Sequence, residues 1–284
     1  MMELTKKINR KYNQLIEFFL YRKRKDNWFF KQSGKKYKAP SKRQAKVYKR
    51  HLQNNFKEIW LPIKVEKSII LDIGGNIGYN THAYCKKLKG TDSMVYMFEP
   101  CLENVLCSQY NLRNVNGFKI IPFALTNKDE EEDKILRMGI PEWVYNLSKE
   151  TRNTGYLSAK GLKINKDSMF EEVMSIKLDD LKFYKINNPS IKFIKIDVEG
   201  YELNVIEGGM QTISKHLPLI QMEYNPFTLA IEELHIIIGL LKNIGYELYS
   251  ETPIQENRQN EIYFINPKNL ENIQDNYLDS LHKN

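Results

Sequence analysis

Within these 284 residues, one run carries the clearest chemistry: Leu71-Asp72-Ile73-Gly74-Gly75-Asn76-Ile77-Gly78-Tyr79-Asn80-Thr81. It follows an apolar stretch and opens a helical one. Gly74 and Gly78 remove side chains where the backbone must turn tightly against a ligand, and the free N–H groups of a helix start point at an anion. That anion is either a pyrophosphate or a carboxylate. Asp72, two residues before Gly74, separates the two cases. A carboxylate there repels a pyrophosphate but suits a ligand that also carries positive charge. Glu99 ends the next apolar run, Met94 to Phe98, 21 residues after Gly78. At that place a carboxylate can accept both hydrogens of a ribose diol, because adjacent strands open onto one crevice.

A second group of acids, Asp197, Glu199 and Glu202, lies at or just past another apolar strand, where open α/β sheets hold their ligands. Clustered carboxylates raise one another's pKa, which suits a general base working near neutrality. Asp197 or Glu199 is the expected base. The same residues also admit a structural role, with Asp197 as a helix cap and Glu202 as a first-turn acid. Lys195 alternates with the apolar strand residues and could be a buried ion-pair partner for one of these acids. Glu223 and Asn225, with Asp197, could form an all-oxygen magnesium or calcium site, but such trios at strand ends are common without metal and none is predicted. The five histidines form no motif, so surface or packing roles are expected of them.

A carboxylate, positive charges and a ribose in one crevice describe S-adenosylmethionine (SAM). The residues expected around it are Asp72, Gly74, Gly75, Asn76, Gly78, Tyr79, Asn80, Glu99, Pro100, Ala124 and Asp197. The corresponding reaction is an in-line displacement at the sulfonium methyl, in which positioning supplies much of the acceleration. An alcohol acceptor is a poor nucleophile, so a general base such as Asp197, Glu199 or Glu202 would help.

The blocks Asp72 to Gly78 and Phe98-Glu99-Pro100 resemble the FkbM family of methyltransferases. The resemblance is strengthened by Ile194-Lys195-Ile196-Asp197-Val198-Glu199-Gly200-Tyr201-Glu202, by Leu178-Asp179-Asp180-Leu181 before it and by Ile206-Glu207-Gly208-Gly209 after it. It covers about residues 65–265. It implies a seven-stranded class I fold, SAM as donor and usually a hydroxyl acceptor on a sugar, glycolipid or polyketide.

Around these residues the sequence alternates short apolar runs with helical stretches, the signature of βα units. Strands are predicted at 68–73, 94–98, 118–123, 192–197 and 218–223, with a hairpin from Tyr246–Ser250 and Glu261–Ile265. Helices are predicted at about 78–89, 101–112, 201–215 and 229–243. The fold class is α/β: a seven-stranded, mostly parallel sheet with helices on both faces, plus a basic helical N-terminal extension. In that extension, residues 3–25 read as an amphipathic helix and 31–42 as a loop. Ser41 caps a second helix running to about Trp60. The division expected is an extension over 1–62, a methyltransferase domain over 63–270 and a tail over 271–284. The crossover 127–178 is long for a β-to-β connection and reads as an acceptor-side insertion. Its Trp143, Tyr145 and Tyr156 could stack on a sugar face or a base.

Three cysteines without CxxC spacing argue against a disulfide framework or a zinc site, and no apolar stretch approaches the ~20 residues of a membrane span. A cytoplasmic protein is expected, peripheral to a membrane at most. The net charge of +8 is uneven, with +15 in residues 1–67 and −7 in the rest. Such asymmetry points to an anionic partner for the basic segment, a membrane surface or nucleic acid, or else to a solvated lysine-rich face. Three functions follow. The first is O-methylation of a glycan, glycolipid or small molecule, the second a nucleic-acid methyltransferase gripping phosphates through the basic segment, and the third a non-catalytic SAM-fold binding module.

Overall fold

The computed structural model describes residues 28–64, 67–128, 135–139, 170–181, 190–251 and 258–274, together with 254, 277 and 279–283. The helix expected over 3–25, the acidic run 129–133 and Trp143, Tyr145 and Tyr156 lie outside the described residues.

The chain opens with a hairpin, β1 (Trp28–Gln32) and β2 (Lys35–Ala39), then α1 (Lys42–Gln53). The βα units follow: β3 (Ser68–Ile73), α2 (Tyr79–Lys87), β4 (Met94–Phe98), α3 (Leu102–Asn111) and β5 (Phe118–Ile121). The chain from just before the crossover to its end contributes β6 (Ala124–Leu125), β7 (Ile135–Gly139) and β8 (Phe170–Ile176), which form a small sheet of their own in the order β6-β8-β7. The rest is β9 (Ser190–Ile196), α4 (Glu202–Glu207), α5 (Met210–His216), β10 (Leu219–Tyr224), α6 (Ile231–Asn243), β11 (Glu247–Ser250), β12 (Asn260–Ile265) and β13 (His282–Lys283).

The large sheet runs β13-β11-β12-β10-β9-β3-β4-β5. From β10 to β5 every pairing is parallel, while β12 runs against both β10 and β11. The seven expected strands are all present. The eighth, β13, is a two-residue edge strand with no sequence signal of its own.

The central strands are apolar because both faces are covered. Every residue of β3 is buried. Ile69, Leu71 and Ile73 pack with Val205, Ile213 and Leu234 of α4, α5 and α6, while Ile70 turns to the opposite face with Tyr48, Ala83 and Cys107 of α1, α2 and α3. Each fully buried isoleucine contributes about 1.5–3 kcal/mol relative to exposure. The sheet is thereby clamped from both sides and its carboxyl edge becomes a fixed platform.

Three expectations are corrected. Residues 31–42 are not a loop: the chain turns at Ser33-Gly34, with Gly34 at φ +74°, and β1 and β2 pair around it. The second helix stops at Gln53, since Asn55 and Phe56 adopt φ of +56° and +57°. The predicted helix 201–215 is two helices. A Cβ at Gly208, where the first of them ends, would lie 1.9 Å from the Thr126 carbonyl oxygen, so glycine there lets the chain just after β6 approach.

Candidate active site

The carboxyl ends of β3, β4, β9 and β10 surround a cavity of about 840 Å³, within the ~300–1,000 Å³ range of small-molecule sites. Its floor on one side is the glycine run. Gly74 has φ +81°, and a Cβ there would sit 1.8 Å from the Asp197 carbonyl oxygen, so only glycine lets β3 and β9 close beneath the loop. The loop rises to Gly78, at φ +85°, which caps α2. Asn76 holds φ +51°; its N–H donates to Glu99 Oε2 at 2.8 Å.

Gly74, Asn76, Tyr79, Glu99, Pro100, Ala124, Asp197 and Glu199 all line this cavity, as do Glu223 and Asn225. Glu99 also accepts from Cys101 N–H at 2.9 Å and the Asn104 amide at 3.3 Å. Burial pushes its carboxyl up to about 7, against these donors, which pull it down.

Asp72, Gly75, Gly78, Asn80 and Glu202 stand behind the wall and do not line the cavity. Asp72 is fully buried and takes the Thr81 hydroxyl on Oδ2 at 2.6 Å, tying β3 to α2. Burial raises its pKa, opposed by Lys195, which lies across the β3–β9 register. Glu202 is buried and accepts the Gly200 N–H at 3.1 Å and the Val198 N–H at 3.4 Å. Burial pushes it up to about 7 while the backbone bonds pull it down. It braces the turn that presents Glu199.

Lys195 pairs with Asp197 at 2.8 Å. Burial works against its charge, but Asp197 and Asp72 outweigh that cost and hold the ammonium well above the usual lysine range. Glu199 sits at φ +54°, an uncommon conformation for a side-chain-bearing residue, held between the Asp197 junction and Gly200. Burial, then Asp197 and Glu223, push its carboxyl up to about 9. Glu223, bonded to the Gln259 amide, is pushed up to about 8 by burial and Asp197. Oxygens of Asp197, Glu199 and Glu223 all come within 4.8 Å of one another, close enough to hold a cation. Of the trio weighed for a metal, Asp197 and Glu223 converge, joined by Glu199, while Asn225 spends its Oδ1 on the Phe227 N–H at 3.1 Å.

Several lining residues were invisible in the motifs. Arg43, Gln44 and Val47 come from α1, Met138 from β7, and Phe227, 84% exposed, from the turn after β10. Ser41-Lys42-Arg43-Gln44 is a recognisable helix start, with the Gln44 N–H on Ser41 Oγ at 3.2 Å. That signal places the helix but not the face it presents. Two of the histidines pack as expected: His51 stacks on Tyr79, and Tyr48 shares a hydrogen bond with His82 Nδ1 at 2.9 Å.

Six parallel strands with β12 reversed among them, the two-residue edge strand β13 also running against its neighbour, and a glycine loop after the first of them, define the class I methyltransferase fold. The chain belongs to the FkbM methyltransferase family, whose domain matches residues 72–248. A FkbM methyltransferase from Methylobacillus flagellatus KT is similar at 18% identity, over 74% of this chain and 50% of that one, with a TM-score of 0.45. This chain therefore spans half the length of that protein. Fibrillarin from Aeropyrum pernix, with natively bound S-adenosyl-L-methionine, is similar at 12% identity over 84% of this chain and 82% of its own, with a TM-score of 0.41. The ribosomal protein L11 methylase of Lactobacillus delbrueckii subsp. bulgaricus is similar at 10% identity over 84% and 81%, with a TM-score of 0.37. No curated protein matches the chain. Among the described residues no helix is long and apolar enough to cross a membrane.

Proposed function

We propose that this protein transfers the methyl group of SAM to a hydroxyl on a glycan, glycolipid or small-molecule acceptor. The observation that carries the reading is the cavity's lining: the glycine loop and Glu99 share it with Asp197, Glu199 and Glu223, whose carboxyl groups converge. Glu99 offers carboxylate oxygens to a ribose, and the start of α2 offers N–H groups to the methionine carboxylate. The acceptor hydroxyl then lies among the three acids. Asp197, ion-paired with Lys195, would take the hydroxyl proton as the oxygen bonds to the methyl carbon and the carbon–sulfur bond breaks, its electron pair staying on the sulfur of the departing S-adenosylhomocysteine. Glu199 and Glu223, raised to about 9 and about 8, are protonated at neutral pH and donate hydrogen bonds to neighbouring acceptor oxygens. Phe227 at the mouth offers a flat apolar face to a sugar ring.

A second reading follows from the same convergence: Asp197, Glu199 and Glu223 would hold a magnesium or calcium ion, which would acidify the hydroxyl. One experiment addresses both. The full-length protein is incubated with methyl-radiolabelled SAM and glycan, glycolipid and small-molecule fractions, with and without EDTA. Base-stable, ether-type label in a hydroxylated acceptor supports the function. Label absent from all three fractions but present in nucleic acid or protein fractions incubated in parallel removes it. Full activity after EDTA removes the metal.

A further inference from the structure

The family match begins at residue 72, yet α1, which precedes it, forms part of the cavity wall. Gln44 is buried and its Nε2 donates to Asn76 Oδ1 at 2.7 Å, so α1 is fastened to the residue at the crest of the glycine loop. Asn76 is thus held from two sides, by Gln44 through its side chain and by Glu99 through its N–H. Arg43 and Val47, four residues apart and therefore on one face of the helix, both reach the cavity. Among the described lining residues Arg43 is the only cation, set against Glu99, Asp197, Glu199 and Glu223.

This imbalance matters for a zwitterionic ligand. Asp197, and Glu99 when ionised, favour a sulfonium and an ammonium but oppose a carboxylate, and backbone N–H groups at a helix start supply only a partial counter-charge. A guanidinium supplies a full one in a planar fork that matches a carboxylate. We propose that α1 completes the donor pocket, with Arg43 pairing to the carboxylate of the SAM methionyl moiety while Gln44, through Asn76, fixes the loop beneath it. The inference rests on SAM being the donor, and it gives the segment outside the matched domain a direct part in binding.

The test uses isothermal titration calorimetry on the full-length protein with two probes. One is S-adenosylhomocysteine. The other is its decarboxylated analogue, S-adenosyl-3-thiopropylamine, which keeps the adenosine, thioether and ammonium and lacks only the carboxylate. Arg43→Ala should weaken S-adenosylhomocysteine about tenfold or more, the scale of one lost charge-assisted contact. It should leave the decarboxylated analogue within about twofold. Arg43→Lys should fall between wild type and alanine for the carboxylate-bearing probe, since it keeps the charge but loses the fork. Equal losses for both probes would assign Arg43 a merely structural place in the wall and overturn the proposal, as would unchanged affinity of Arg43→Ala for S-adenosylhomocysteine. Failure of the wild type to bind either probe would instead overturn the donor reading, and this inference with it.

Discussion

Asp197 and Glu199 are two residues apart, yet the backbone turns them to different uses. Asp197 follows the last residue of β9 with Lys195 at 2.8 Å, whereas Glu199 stands on a left-handed kink among other acids and is pushed up to about 9. On the proposed mechanism Asp197→Asn should lower kcat by about 10²-fold or more, as loss of a general base does, with a smaller effect on acceptor KM. Glu199→Gln imitates the protonated acid. It should keep kcat within several-fold at pH 7 and abolish any loss of acceptor affinity between pH 8 and 10. Steady-state kinetics over that range would show the two roles exchanged if Glu199→Gln were inactive at pH 7 and Asp197→Asn were not. The sequence marked both residues, because they follow the carboxyl end of an apolar strand, where open α/β sheets hold their ligands. It did not separate Glu202 from them. The distinction depends on where two N–H groups point, which no pattern of residue types records.

At the level of elements, β3 and β4 were legible to the residue because strands buried on both faces leave an uninterrupted apolar run. The hairpin was not, since Trp28, Phe29, Lys35 and Lys36 are all exposed and the alternation that marks a half-buried strand is lost. Nor was the cavity face of α1, which is a tertiary fact. The family's Leu178-Asp179-Asp180-Leu181 block gains a physical explanation. Asp179 accepts the Gln211 N–H at 3.0 Å and the Thr212 N–H at 2.8 Å, capping α5 from a distant segment. Asp179→Ala should cost about 1 kcal/mol of stability, the usual worth of such a cap. Chemical denaturation would register this as a lower midpoint at unchanged slope, with donor affinity preserved in the folded protein. A loss of affinity without a loss of stability would assign Asp179 to the site instead.

For the molecule as a whole, an acid-lined cavity costs stability in a way that depends on pH. Glu99 and Glu202 at about 7, Glu223 at about 8 and Glu199 at about 9 all lie above the ordinary 4.5. The folded state therefore holds protons that the unfolded chain releases, and stability falls as pH rises through these values. His82, lowered to about 4 by burial, acts in the opposite sense, but only below its ordinary 6.5. The window in which the acids act without it is thus pH 7 to 9. Across it the melting temperature of the ligand-free protein should decline, and Glu199→Gln should flatten the upper half. A rising melting temperature would contradict the assigned burial, and a flat one that becomes declining with EDTA would indicate a bound cation holding the acids ionised.

The wall built by α1 is anchored from an unexpected direction. Lys64 N–H donates to the Asn272 carbonyl, Gln274 N–H to that of Pro62, the Gln274 amide to those of Leu61 and Ile63, and Ile63 and Ile273 form a bridge. These contacts close a circuit 213 residues long between Leu61 and Gln274. A buckle of that span cannot fasten until the sheet between its halves has assembled, so a nascent or nicked chain would own a complete glycine loop before it owned a complete pocket. Damage near residue 272 would then surface, by way of the segment that follows α1, as a ligand-binding defect at the far end of the sequence.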